Sequence, residues 1–184
     1  MHPHEETKYI FAQSIKELME KQSLDKITVT DIVKRSGMTR QTFYRNFQDK
    51  YDLVNWYFEK LADKSFRQIG NSSTLREGLI KKFSFLLNDQ VFFMQAFRSK
   101  DYNNVENYDY QCILDFYSSI IEKKIGKIPH EIMFLLKMYC HGSITMTVEW
   151  AVGGMKESPE EMADLLIAAL PVKLEELLSS LQVF

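Results

Sequence analysis

The stretch from Ile27 to Phe47 leaves the chain few choices. Thr28 stands just before the apolar positions Val29, Ile32 and Val33 and three residues before Asp31, the spacing at which a hydroxyl and a carboxylate cap a helix start reciprocally. Gly37 then offers the left-handed conformation that closes a helix, which glycine adopts without steric cost. Two residues on, Thr39 can cap a second helix, and Phe43 and Phe47 lie four apart on one face of it. The spacing predicts two helices of about two turns joined by a glycine-containing turn, the arrangement that presents its second member to a DNA major groove.

The flanks read as helical too. Glycine and proline contribute only 7 and 4 of 184 residues, roughly half their usual combined usage. Residues 6–21 place Phe11, Ile15, Leu18 and Met19 at amphipathic helical spacing, and residues 51–68 continue with Leu53, Val54, Tyr57, Phe58 and Leu61 as a long fourth helix. Gly70-Asn71-Ser72-Ser73-Thr74 is a run of turn formers and reads as a linker. Beyond it, helices are expected over residues 75–87, 90–97, 105–125, 129–152 and 159–181, with Pro171 kinking or dividing the last. The expected fold class is all-α: a three-helix helix-turn-helix domain over residues 1–50, joined by the fourth helix to a C-terminal helical domain, the two together forming residues 51–184. At 45% hydrophobic and 26% charged, the chain can bury a core and is not a disordered one.

Several function classes drop out. The most apolar stretch, residues 132–154, is interrupted by Lys137, His141 and Glu149, each costly inside a bilayer. Residues 1–6 are polar and lack the apolar run of a secretory signal, so a cytoplasmic protein with no membrane partner is expected. Cys112 and Cys140 lack the paired spacing of zinc sites and are expected as reduced thiols. Cys140 and His141 are consecutive, so on a helix they diverge and cannot act as nucleophile and base. His130 and His141 would stand about 16 Å apart along a helix axis, too far for one metal. His2 and His4 flank Pro3 near the terminus and are given no functional role. With no phosphate-binding glycine loop and no hydrolase or metalloprotease motif, neither an enzyme nor a cofactor is expected.

Charge favours one segment. Lys26, Lys34, Arg35, Arg40, Arg45 and Lys50 face only Asp31 and Asp49 between residues 26 and 50, in a chain whose formal net charge is −2. With Phe43 and Phe47 inward, Gln41 and Arg45 point most directly out, Thr42 and Tyr44 flank them, and Arg40 can swing outward from the first turn. Arginine can pair bidentately with guanine, glutamine with adenine, and hydroxyls with phosphates. A merely solvated helix face has the same composition, and the spacing carries more information than the charge.

That spacing resembles a known family. Ile27-Thr28-Val29-Thr30-Asp31-Ile32-Val33, then Ser36-Gly37-Met38-Thr39, then Thr42-Phe43-Tyr44-Arg45-Asn46-Phe47 with Lys50 resembles the DNA-binding domain of the TetR family of bacterial transcription regulators, over residues 6–56. The resemblance implies DNA contacts at Thr28, Thr39, Arg40, Gln41, Thr42, Tyr44, Arg45 and Lys50. Val33 stands where the family often has alanine and Asn46 where histidine is common, which bears on the target sequence rather than on the fold. Gly142, Glu149-Trp150, Gly153-Gly154 and Ser158-Pro159-Glu160-Glu161, together with the run from Phe47 to Tyr57, are similar to a Gram-positive branch that includes regulators of dihydroxyacetone kinase operons.

The resemblance implies a ligand-binding and dimerisation role for the C-terminal domain. Aromatic and methionine side chains crowd it, most of them core, and the ligand candidates are Phe93, Phe97, Tyr110, Tyr117, Met138, Tyr139 and His141. Residues 129–152 are apolar nearly all round and residues 159–181 offer further leucines, which places a homodimer interface at Met146, Trp150, Leu165, Leu166 and Ala169. The expected partners are a double-stranded, roughly palindromic DNA operator, a second copy of the chain, and a small-molecule effector or protein co-regulator. The alternative is a helical regulator whose C-terminal lobe docks a protein partner and has no small-molecule site.

Overall fold

The computed structural model describes residues 3–66, 74–101 and 103–181, and among them the fold is all-α with no strand. The elements are α1 (Pro3–Met19), a short 3-10 turn at Leu24–Lys26, α2 (Val29–Ser36), α3 (Arg40–Asn46), α4 (Lys50–Phe66), α5 (Leu75–Asn88), α6 (Gln90–Phe97), α7 (Val105–Ile125), α8 (His130–Val152), α9 (Pro159–Ala168) and α10 (Val172–Ser180). Most of the expected linker, residues 70–73, and the end of the expected fourth helix lie outside the described residues, as do His2 and the side chain of His4.

Local chemistry sets the boundaries. Thr28 and Asp31 form the capping box anticipated from their spacing, and Gly37 closes α2 at φ 70°. Two further boxes open α5, through Thr74 and Glu77, and α9, through Ser158 and Glu161 with Pro159 behind the cap. Pro171 divides the last expected helix, because it has no N–H to continue the α9 ladder.

The N-terminal head folds around aromatic side chains. Phe11 and Ile15 of α1, Ile32 of α2, Phe43 of α3 and Leu53 of α4 are fully buried. The rings of Phe11 and Phe43 meet edge to face with centroids 5.2 Å apart. Burying side chains of this size stabilises the head by about 1.5 to 3 kcal/mol each. In the C-terminal lobe α8 packs against α6, α7 and α10, while α5 packs against α4 and α9.

A buried ion pair ties α5 to α7. Lys82 Nζ lies 2.6 Å from Asp109 Oδ2, with the two side chains 6% and 1% exposed. Burial pushes the Asp109 carboxyl up from its ordinary range, and the Lys82 ammonium opposes that push. Cys112 and Cys140 are both free thiols, and burial pushes them up to about 11 and about 12. No helix among the described residues is long and apolar enough to cross a membrane.

Candidate nucleic-acid interface

The outward face of the head is built by α2, its glycine turn and α3. Thr39 Oγ1 accepts the Thr42 N–H at 3.1 Å, which starts α3 sharply after the turn. Phe43 and Phe47 anchor the inner side, their centroids 5.8 Å apart. This leaves Arg40, Gln41, Tyr44 and Arg45 exposed and Thr42 half-buried at the edge. Arg40 is steered rather than loose. Its Nη1 donates to Thr30 Oγ1 at 3.2 Å, its Nη2 donates to Tyr44 Oη at 3.4 Å, and the guanidinium carbon stands 5.9 Å from the centre of the Tyr44 ring.

Two of the expected contacts have other commitments. Thr28 is exposed, yet its hydroxyl accepts from Asp31 N and donates to Asp31 Oδ2 at 2.6 Å, and that donation together with one from the Thr28 backbone N–H holds the Asp31 carboxyl below its usual range. Lys50 departs further from expectation. Its ammonium donates to the carbonyls of Leu24, Asp25 and Ile27, each at 2.8 Å, which uses all three of its protons. Lys50, expected as a phosphate contact, thus clamps the turn before α2. Sequence reading also missed Thr30, whose role in aiming Arg40 depends on a neighbour ten residues away.

In the C-terminal lobe, the structure does not gather the seven ligand candidates into one cavity. Phe93 and Phe97 are buried in the core, while Met138 is 61% exposed because it faces outward from α8. Tyr110 and His141 stack on each other at 4.0 Å. Tyr117 and Tyr139 border a void of about 10 Å³, room for one water at most. Tyr139 Oη donates to the Leu166 carbonyl at 3.0 Å, so its polar tip serves the fold. A larger groove of about 530 Å³ opens between α4 and α7, lined by Glu59, Tyr108, Cys112, Asp115, Phe116 and Ile120 among others.

The five dimer candidates do come together. Met146, Trp150, Leu165, Leu166 and Ala169 line a single groove of about 500 Å³ between α8 and α9. Leu165 is 59% exposed on its rim, whereas Leu166 is buried. Among the described residues, no group of three or more His, Cys, Asp or Glu side chains could hold a metal ion.

Residues 13–56 match the bacterial regulatory proteins of the tetR family, and residues 73–171 match a transcriptional regulator C-terminal region of the same family. The chain belongs to the TetR family. TetR-type proteins are DNA-binding transcription regulators and not enzymes. The chain is 30% identical over 95 residues to the HTH-type dhaKLM operon transcriptional activator DhaS of Lactococcus lactis, a match covering 50% of this chain and 49% of that protein. The match therefore spans about half the length of that curated relative. Among solved structures, the dihydroxyacetone kinase operon activator DhaS superposes with a TM-score of 0.62 at 22% identity, covering 97% of both chains. A TetR transcriptional regulator from Streptococcus agalactiae superposes with a TM-score of 0.66 at 19% identity, covering 91% of this chain and 94% of that one. The likeness to these solved structures is one of fold, and it runs through both the head and the C-terminal lobe.

Proposed function

We propose that this TetR-family protein acts as a homodimer that reads a roughly palindromic operator, with α3 of each copy in successive major grooves. The observation that carries this reading is the exposed face of α3. Arg40, Gln41, Tyr44 and Arg45 stand on a short helix whose start is capped and whose back is locked by Phe43, so base-reading side chains are held on a rigid support. One such helix covers only a few base pairs, and a two-fold pair doubles the readout. The apolar groove between α8 and α9 supports the dimer. The DNA-contact set of this reading is Thr39, Arg40, Gln41, Thr42, Tyr44 and Arg45, with Thr28 at its edge.

The C-terminal lobe receives the regulatory signal. Its interior void of about 10 Å³ is too small for an organic effector, and the open groove between α4 and α7 favours a signal that arrives from outside the core. Either a small molecule or a protein co-regulator can supply it. The relative named for the dhaKLM operon makes dihydroxyacetone metabolism the first pathway to examine. Sedimentation of the protein alone and on operator DNA tests the reading: a dimer that loads two protomers per site supports it, and a monomer at micromolar concentration contradicts it. Operator affinity measured with and without dihydroxyacetone and cell extract tests the switch, and an affinity that neither of them shifts marks a constitutive binder.

A further inference from the structure

Arg40 is the first residue of α3, and neighbours on two helices hold it. Thr30 stands in the first turn of α2, a turn fixed by the Thr28–Asp31 capping box. Its hydroxyl accepts Arg40 Nη1 at 3.2 Å from ten residues away in the chain. Tyr44, one turn further along α3, accepts Arg40 Nη2 at 3.4 Å and sets its ring centre 5.9 Å from the guanidinium carbon. That ring is braced in turn, because it meets the fully buried Phe43 edge to face with centroids 5.6 Å apart. Thr30, Arg40 and Tyr44 are all exposed, so the arrangement lies on the outer face of the head and not in its core. Arg35 is ion-paired with Glu17, whereas both of these partners of Arg40 are neutral and leave its charge uncancelled.

We propose that Thr30 is a positioning residue that turns the Arg40 guanidinium onto the edge of a guanine, so that specificity at that base is set from α2 as well as α3. The inference rests on the operator reading proposed above and names the base that Arg40 takes. The N-terminal residues of a recognition helix meet base edges, and arginine paired bidentately with guanine O6 and N7 is the commonest specific contact. A guanidinium carries five N–H groups in one rigid plane. Thr30 and Tyr44 occupy one on each terminal nitrogen, which leaves three, enough for a bidentate partner. An arginine free to rotate reaches phosphates as readily as bases, and phosphate contacts carry no sequence information. Held between two helices, Arg40 presents one orientation, and the ordering of its long side chain precedes the arrival of DNA. Buried Ile32 and Phe43 already anchor α2 and α3 in the head, so the exposed Thr30 bond is left with the aim of Arg40 as its task.

The test uses the full chain and the duplex it enriches from a randomised pool, with each guanine replaced in turn by 7-deazaguanine, which lacks the N7 acceptor. One guanine in each half-site is expected to lose about tenfold in affinity on replacement, and Arg40→Ala is expected to abolish that difference. Thr30→Val keeps the shape of the side chain and removes the acceptor. It is expected to shrink the difference at that guanine by about fivefold, with the other guanines and the unfolding midpoint unchanged. Thr30→Ser, which retains the hydroxyl, is expected to restore it. In an Arg40→Ala background Thr30→Val is expected to have no further effect. An equal effect in that background, or a lowered unfolding midpoint with the guanine difference intact, overturns the inference and leaves operator binding standing. So does the lack of any guanine whose replacement separates Arg40→Ala from the unsubstituted protein. A chain that enriches no duplex overturns the operator reading and this inference with it.

Discussion

Lys16 of α1 and Asp89 at the α5–α6 corner form an ion pair of 2.5 Å between the DNA-binding head and the C-terminal lobe. Tyr57 of α4 completes it by donating to the other Asp89 oxygen at 2.5 Å, and burial together with that carboxylate holds the Tyr57 hydroxyl well above its usual range. A second tie lies at the other end of α6, where Ser99 Oγ donates to Asp25 Oδ1 at 2.5 Å. A displacement of α6 is therefore felt at α1 and at the turn before α2. Asp89→Asn removes the charge that both Lys16 and Tyr57 face. It is expected to lower stability by about 1 to 3 kcal/mol and to weaken any effector response more than operator affinity, read by denaturant unfolding and by binding isotherms.

Lys50 gives a prediction opposite in kind to that for a phosphate contact. Lys50→Met leaves the carbonyls of Leu24, Asp25 and Ile27 without their shared donor. The expected cost is about 1 to 3 kcal/mol of stability, with little change in the salt slope of DNA binding. A salt slope reduced by about one at unchanged stability would return Lys50 to the phosphate backbone.

Arg45 and Gln41 are the exposed residues aimed most directly away from Phe43. Arg45→Ala and Gln41→Ala are each expected to change sequence preference by about 1 to 3 kcal/mol at the bases they read. Competition between operator variants and scrambled DNA measures this, and an equal loss on every sequence would make them phosphate contacts instead.

The Lys82–Asp109 pair is a case where one substitution should cost more than two. Lys82→Met leaves a buried carboxylate unpaired and is expected to lose about 3 to 5 kcal/mol, while Lys82→Met with Asp109→Leu recovers most of it. Thermal unfolding of the single and double variants completes the cycle.

Alkaline pH is expected to destabilise the protein through its buried tyrosines. Burial pushes Tyr51 up to about 12 and raises Tyr57, Tyr108, Tyr117 and Tyr139 as well. Above the ordinary tyrosine value near 10, the folded state holds protons that the unfolded chain has released, so stability is full below that pH and falls as pH rises through it. Tyr110 and the Cys112 and Cys140 thiols are raised by burial and act in the same sense, while Lys50, lowered by burial, works in the opposite direction, one group against eight. Unfolding midpoints between about pH 9 and pH 11 are expected to decline steadily.

What the sequence made legible was mostly local. Thr28, Asp31 and Gly37 specify α2 because a cap, its partner and a stop lie within one short segment, and Pro171 divides the last helix by the same local logic. The five residues expected at a dimer contact share the α8/α9 groove because both of its walls are apolar at helical spacing. The clamp made by Lys50 was not legible, because its three acceptors are backbone carbonyls 23 to 26 residues away, which no side-chain pattern announces. The ligand candidates scattered for a related reason: residue type marks Met138 and Phe93 alike as apolar, and only the packing of α6 and α8 sends one outward and the other into the core.

Selection from a randomised duplex pool tests the central claim most directly. The account predicts that the full-length protein enriches a two-fold symmetric site whose half-sites lie about one helical turn or a multiple of it apart, and that Arg45→Ala shifts the enriched bases symmetrically in both halves. Enrichment of no sequence, or of a single asymmetric site that Arg45→Ala leaves unchanged, would contradict it.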